Sequence, residues 1–496
     1  MGGIDEATED GVPAAREGDT RALWQRSATD LAHLIETKQV KSREVIDAHL
    51  ERIAAVNPRL NAITVEMAES AQAAADAADA TITAHQDPGF GQGAGLGERI
   101  GPLHGVPFTI KENIDQVGFP TTQAVAALAE AFPPRDAVTV ERVLAAGAIP
   151  IGRTNMPELG LRVSTDNAFR GLTRNPWHHD RTAGGSSGGE GSAIGSGMSP
   201  FGLGNDIGGS IRNPALCCGV MGLKPGYGRI GRAASLPPLD PGISGALMSV
   251  EGPLARHVED LRLLLDLLAP PTSLDLRTAP VPVDGGEYLR RAGLVRSLPG
   301  AELEPGQLDA LDAAAAGLAA AGWEVVEVEP PEIERTKDLW RHLLGFDFAV
   351  SIPLLEPIMG SDEIRVLQRL VDSCDFDQLP PQLMFIERHR LMRLWAEMFN
   401  DTPVVVGPGW NRVPFEHGAD IVDGNEMRVL DDHLGFIVPA NVLGLPVVAM
   451  SNGVHDGMPT GVQIYSSHWR EDRCLDAAEA VEQHCGVPGP IDPTWS

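Results

Sequence analysis

The sequence predicts an α/β fold, and two observations carry that prediction. Apolar runs of strand length alternate with segments whose apolar residues recur at helical spacing, and glycine or proline marks the boundaries between them. The 496 residues include 55 Gly and 39 Pro, with 43% hydrophobic and 22% charged residues, ordinary globular usage that excludes a wholly disordered, collagenous or coiled-coil chain.

Residues 1–20 are acidic, Gly/Ala-rich and aperiodic, and read as a flexible tail. Leu31, Leu34 and Ile35, then Val45, Ile46, Leu50 and Ile53, sit at helical spacing and predict two amphipathic helices between Leu23 and Ala55. An Ala-rich helix is expected over about 65–80, and the glycine-dense stretch 87–97 reads as a loop or insertion. Val106 to Ile110 reads as a strand running straight into Lys111. Asp136 is placed to cap a helix carrying Val140, Val143 and Leu144, with Gly147 closing it and Ala148 to Ile151 as the next strand. The same rhythm returns with a helix over Leu308 to Ala321, Gly322 as its stop, and a strand over Trp323 to Val328. Between about 332 and 400 the pattern is helical, with Leu339, Leu343 and Leu344, then Ile364, Leu367 and Leu370, then Leu391, Leu394 and Trp395. Val404 to Val406 and Val447 to Met450 then bring the chain back to the sheet.

Asp and Glu outnumber Lys and Arg by 68 to 39, a formal charge of −29, so the surface repels phosphate backbones. No nucleic-acid partner and no anionic membrane is expected. The start lacks a basic segment followed by an apolar one, and the longest apolar stretches fall short of a spanning helix of about 20 residues, so a soluble, cytoplasmic protein is expected. Five scattered cysteines argue against a disulfide framework, and Cys217 and Cys218 read as buried packing residues.

The densest chemical signal is Arg181-Thr182-Ala183-Gly184-Gly185-Ser186-Ser187-Gly188-Gly189-Glu190, followed by Gly204-Asn205-Asp206-Ile207-Gly208-Gly209-Ser210-Ile211-Arg212-Asn213-Pro214. Three readings compete. A phosphate cradle would use glycine-rich backbone N–H groups, but neither the Gly-Lys-Ser/Thr nor the G-x-G-x-x-G pattern is present. Gly184 to Gly188 also matches G-x-S-x-G, a nucleophile elbow that would make Ser186 an esterase nucleophile, with Asp432, His433, His455 and His468 as downstream candidates. That reading leaves the second serine and an upstream lysine unexplained.

The third reading uses all of them. With Gly105-Val106-Pro107-Phe108-Thr109-Ile110-Lys111-Glu112-Asn113 upstream, and Asn441 to Pro446 and Gly457 to Ile464 downstream, the chain resembles the amidase signature family closely over about 28–265 and again over about 434–480. The resemblance implies one large domain over 21–490, a central mixed β-sheet covered by helices on both faces. Within it a catalytic core would span about 65–330, a helical pocket layer about 331–435, and a return to the sheet about 436–490. It implies a Lys111, Ser186, Ser210 triad, 75 and 24 residues apart, with Ser186 following a cis peptide. It also implies an oxyanion hole from the backbone of Ile207, Gly208, Gly209 and Ser210, with Ser187 as a hydrogen-bonding support.

The residue types suit that chemistry independently of the name. A serine hydroxyl needs a base to take its proton, and without histidine a neutral lysine can serve. Lysine titrates near 10.4 when exposed, so Lys111 must be desolvated, as the apolar run before it suggests. Asp206 and Arg212 flank the second serine loop as a bracing ion pair. No metal or organic cofactor is expected; His178-His179-Asp180 reads as a polar turn, since adjacent histidines do not easily aim at one ion.

The expected activity is hydrolysis of a small or medium amide, with carbamates and esters open to the same acyl transfer. Where the family often has a Gly-Ser pair after Thr121-Thr122, this chain has Gln123-Ala124-Val125-Ala126-Ala127-Leu128, which points to a non-polar or aryl acyl group. The alternative is the glutamine-hydrolysing component of a tRNA-dependent amidotransferase. The resemblance makes a homodimer the usual assembly. Trp340, Phe346, Phe348, Leu354, Trp395, Trp410 and Phe415 are candidates for lining the substrate pocket, but for each core packing is the simpler reading.

Overall fold

The computed structural model describes residues 20–85, 100–236, 239–424, 426–493 and 495. The loop expected at 87–97 and residues 1–19 of the expected tail lie outside them. Eleven strands form one mixed sheet: β1 (Ile63–Glu66), β2 (Pro107–Lys111), β3 (Ile149–Thr154), β4 (Phe201–Asp206), β5 (Met221–Lys224), β6 (Val250–Ala255), β7 (Arg291–Leu294), β8 (Glu324–Glu327), β9 (Val404–Pro408), β10 (Val447–His455) and β11 (Met458–Ser466). Their spatial order is β1-β3-β2-β4-β6-β5-β10-β11-β9-β7-β8. The triplets β3-β2-β4 and β9-β7-β8 are parallel, as helical crossovers require, and the strands between β4 and β9 pair antiparallel.

The sheet is buried on both faces, which the period of two in its strands makes visible. Val404 and Val406 of β9 and Val448 and Met450 of β10 join one core with Leu261, Leu264, Leu475 and Val481. Their neighbours Val405, Val447 and Ala449 join the opposite core with Trp395, Phe436 and Leu391. Phe108 of β2 stacks on Phe201 of β4 with ring centroids 5.5 Å apart.

The helices expected near the N-terminus form at Ala28–Glu36 and Ser42–Leu60. The expected Ala-rich helix runs over Ala68–His85, because Ile63–Glu66 pairs with β3 as an edge strand instead. Asp136 is not a cap: the Val138–Ala145 helix starts after Ala137, and the Asp136 carboxylate accepts from the Val117 amide at 2.7 Å. Pro305 opens the next expected helix and Gly322, at φ +83°, closes it. The helical stretch resolves into Ile333–Leu355, Ser361–Asp372 and Pro381–Asp401, and β9 falls inside the 331–435 span expected to be a helical layer. Asp456-Gly457, both at positive φ, form the two-residue turn of the β10–β11 hairpin. Among the described residues, no helix is long and apolar enough to cross a membrane.

Candidate active site

Lys111 ends β2 and Asp206 ends the neighbouring parallel strand β4, so both project at the carboxyl edge of the sheet, where crevices form in α/β folds. Five buried residues, Pro107 to Lys111, deliver the lysine into a fully buried position. Its Nζ lies 2.7 Å from Ser186 Oγ and donates to Asn205 Oδ1 at 2.7 Å. Asn205 in turn donates through Nδ2 to Asn113 Oδ1 at 2.9 Å. A neutral amine has two N–H groups and one lone pair. The Asn205 carbonyl can only accept, so it takes one N–H; a second N–H and the lone pair remain, and the Ser186 hydroxyl can accept from the first or donate to the second. Burial lowers the lysine from its ordinary 10.5 to about 7, an effect that the Asp206 and Glu190 carboxylates offset only in part.

Glu190 sits on the helix that follows the first serine loop, Gly188–Gly195. Its buried carboxyl accepts from Thr109 Oγ1 at 2.5 Å and Thr154 Oγ1 at 2.9 Å. Burial, opposed by those two hydrogen bonds and by Lys111, raises it to about 8. The Gly185–Ser186 peptide is cis. Gly184, at φ +76°, runs so close to the Asn213–Pro214 backbone that a Cβ would come within 2.9 Å of it.

Ser210 follows β4 on the second loop, and its carbonyl accepts the Ser187 amide at 3.2 Å, which joins the two loops. The hydrogen bond that Ser187 makes at the site is this one, through its backbone amide. Its Oγ is buried without a hydrogen-bond partner among the described residues. Of the four amides expected to face an oxyanion, the Gly209 N–H is turned away and donates to Asp206 Oδ1 at 2.8 Å. Gly209 has φ +99°, and a Cβ there would approach Ile437 Cγ2 to 2.4 Å. The Ile207, Gly208 and Ser210 amides have no partner among the described residues.

Asp206 and Arg212 form the expected ion pair, fully buried, with Nε at 3.0 Å and Nη2 at 3.1 Å from the carboxylate. Arg212 also donates to Gln463 Oε1 at 3.0 Å and Asn441 Oδ1 at 2.7 Å, and Asn441 Nδ2 donates to Asp206 Oδ1 at 2.8 Å. Burial alone would raise the Asp206 carboxyl; the Arg212 guanidinium holds it well below the usual carboxylate range. Asp206→Ala leaves this guanidinium buried without its counter-charge and is expected to cost about 3–5 kcal/mol of stability. A shift in the urea midpoint checks it, and a change under about 1 kcal/mol would show that the loop does not depend on the pair.

With this geometry in view, known proteins place the chain. A family model described as Amidase matches residues 44–475. The chain belongs to the amidase family. It is a hydrolase of carbon–nitrogen amide bonds. This amidase is similar to the indoleacetamide hydrolase of Bradyrhizobium diazoefficiens, with 37% identity over 94% of this chain and 87% of that protein. It is also similar to the A component of the glutamyl-tRNA(Gln) amidotransferase of Salinispora tropica, with 30% identity over 95% of this chain and 99% of that protein. Among solved structures it is similar to 6-aminohexanoate cyclic dimer hydrolase, with TM-score 0.77, 26% identity, and coverage of 95% of this chain and 99% of that one.

Two contacts of the amidase site come from residues to which the motifs assigned no such part, Asn205 and the pocket candidate Trp340. Asn205 lies within the second serine motif, and a polar residue at the end of a buried strand was the signal available. No signal pointed to the contact of Trp340, which is 133 residues away in the chain: its Nε1 donates to the Ile207 carbonyl at 3.1 Å, and its ring lies where a Cβ on Gly208 would come within 2.7 Å. Leu354 is neither core nor pocket, at 75% exposed. Among the described residues none of these downstream histidines hydrogen-bonds to Ser186, and His455 lies 3.9 Å from the Asp309 carboxylate. His433 bonds the Val429 carbonyl at 2.9 Å and His468 the Gly444 carbonyl at 3.0 Å. His178, His179 and Asp180 are exposed and bring their donor atoms within 4.8 Å of one another, closer than adjacency in the chain suggested.

Proposed function

We propose that the amidase uses Lys111 as base, Ser186 as proton carrier and Ser210 as nucleophile, and that its substrate is a small or medium amide with a non-polar or aryl acyl group. The observation that carries the reading is the buried Lys111 Nζ, 2.7 Å from Ser186 Oγ and, among the described residues, without a carboxylate hydrogen-bonded to it. Lys111 takes a proton from Ser186 as Ser186 takes one from Ser210. Ser210 Oγ then bonds to the carbonyl carbon, and the negative charge moves to the carbonyl oxygen. Backbone amides of Ile207, Gly208 and Ser210 receive that oxyanion, one such donor contributing roughly 3–4 kcal/mol. In a trans peptide C=O and N–H point opposite ways, so Trp340, by holding the Ile207 carbonyl, keeps the Gly208 N–H aimed away from itself. Collapse of the intermediate breaks the C–N bond as Ser186 returns a proton to the leaving nitrogen. Water cleaves the acyl-enzyme by the same relay.

The substrate class is supported by the buried Ala124 and Val125, which replace small polar residues, and by the 37% identity with an indoleacetamide hydrolase. A panel of indole-3-acetamide, acetanilide, an N-aryl carbamate and glutamine tests it. Hydrolysis of the aryl amides with kcat/KM at least about 100-fold above glutamine is the expected result. The 30% identity with an amidotransferase component favours a second reading, ammonia release from glutamine within a complex. Glutaminase activity that appears only with partner proteins, with the aryl amides untouched, would establish that reading instead.

A further inference from the structure

Asn213 lies between the two serine loops, and its one amide group touches both. The side chain is fully buried. Its Nδ2 donates to the Gly185 carbonyl at 3.2 Å and to the Gly208 carbonyl at 3.3 Å. The first belongs to the peptide that leads into Ser186, the second to the peptide between Gly208 and Gly209. The N–H of that second peptide is held from the other side by Asp206 at 2.8 Å, so the whole plane is fixed. At its other end Asn213 Oδ1 accepts from Trp410 Nε1 at 2.8 Å. Trp410 is itself immobilised, stacked on Phe415 with ring centroids 5.6 Å apart and an angle of 4°, with the His433 ring edge-on at 4.7 Å.

We infer that Asn213, oriented by Trp410, is a positioning residue that sets the distance between the proton carrier Ser186 and the nucleophile Ser210. The inference rests on the triad reading above. A carboxamide has two N–H donors on one side and an acceptor on the other. Here both donors are spent on carbonyls from the two different loops, and the acceptor is anchored by an indole N–H that can only donate. Rotating the amide by half a turn would set its oxygen against two carbonyls and its N–H against another N–H, so a single orientation survives. Proton transfer between Ser210 and Ser186 depends on hydrogen-bond reach, and a misplacement of about 1 Å in a reacting pair can cost about 100-fold. A bulk packing role would need only a side chain of the right volume, whereas this role needs the two donors.

The test uses the full chain, a fluorophosphonate that phosphonylates the nucleophile, and steady-state hydrolysis of indole-3-acetamide. Asn213→Leu keeps the volume and removes the hydrogen bonds, and it is expected to lower both the labelling rate at Ser210 and kcat about 100-fold, with KM within about twofold of wild type. Trp410→Phe keeps an aromatic ring against Phe415 and removes the indole N–H together with its five-membered ring, and it is expected to cost about tenfold; in the Asn213→Leu background it should cost nothing further. Wild-type labelling of folded Asn213→Leu, a lower melting temperature with kcat intact, or losses that simply multiply in the double variant would each overturn the inference. Should Asn213→Leu fail to fold, Trp410→Phe decides: labelling at the wild-type rate overturns it. The two levels separate cleanly, since wild-type enzyme left unlabelled at Ser210 defeats the triad reading, whereas labelled wild type with unaffected variants defeats only the role of Asn213.

Discussion

Ser210→Ala is expected to abolish turnover, lowering kcat by roughly 10⁴- to 10⁶-fold, the loss found when a serine nucleophile is removed from a concerted set. No neighbouring hydroxyl can take its place. Ser186 Oγ is held at 2.7 Å by Lys111, and Ser187 Oγ is buried beside Gly204, where a Cβ would meet it at 2.9 Å. The variant should retain the fold, because Ser210 contributes to the loop through its backbone carbonyl, which accepts from Ser187 whatever side chain is present. Intact-protein mass spectrometry after incubation with the aryl amides and the fluorophosphonate checks this. Wild type should gain mass at Ser210 and the variant none. Label on Ser186 with Ser210 untouched would replace the triad with the nucleophile-elbow reading.

Lys111→Met should lower kcat by roughly 10³-fold, within the range for loss of a general base, and remove the acidic limb of the pH profile. The sign follows from the charge. Burial favours the neutral amine and brings Lys111 down to about 7, so above that pH the lone pair is free to accept a proton. Below it the ammonium cannot accept, and kcat/KM of the wild type should fall tenfold per pH unit. Methionine fills much of the lysine's volume but leaves Asn205 Oδ1 without its donor, a cost of about 1–3 kcal/mol that a domain of ordinary stability tolerates. A variant within a few-fold of wild type between pH 6 and 8, or a flat wild-type profile there, would remove Lys111 from the base role.

Much of the sheet was readable because strand and helix periodicities are local. β2, β3, β8, β9 and β10 fall on the apolar runs that predicted them, and Gly147 and Gly322 stop their helices at φ +89° and +83°. β1 was missed because four residues of mixed polarity become a strand only by pairing with β3. Asp136 misled because its carboxylate met a better donor, the Val117 amide, from a segment 19 residues away. Asp456-Gly457 carries a strong hairpin signal of its own, which the longer family pattern around it masks.

The sequence by itself determined which chemistry is available to this protein. The family motifs are contiguous stretches, so the residues proposed for catalysis, Lys111, Ser186 and Ser210, could be named from short runs of chain, as could the Asp206–Arg212 pair. The tertiary structure alone decided how those groups behave. Lys111 falls to about 7 chiefly because the sheet and its covering layers exclude water from it. The Gly209 amide turns to Asp206, Trp340 reaches Ile207 across 133 residues, and Trp410 reaches Asn213 across 197. Burial and long-range approach depend on where distant segments pack, and no local pattern of residues encodes that.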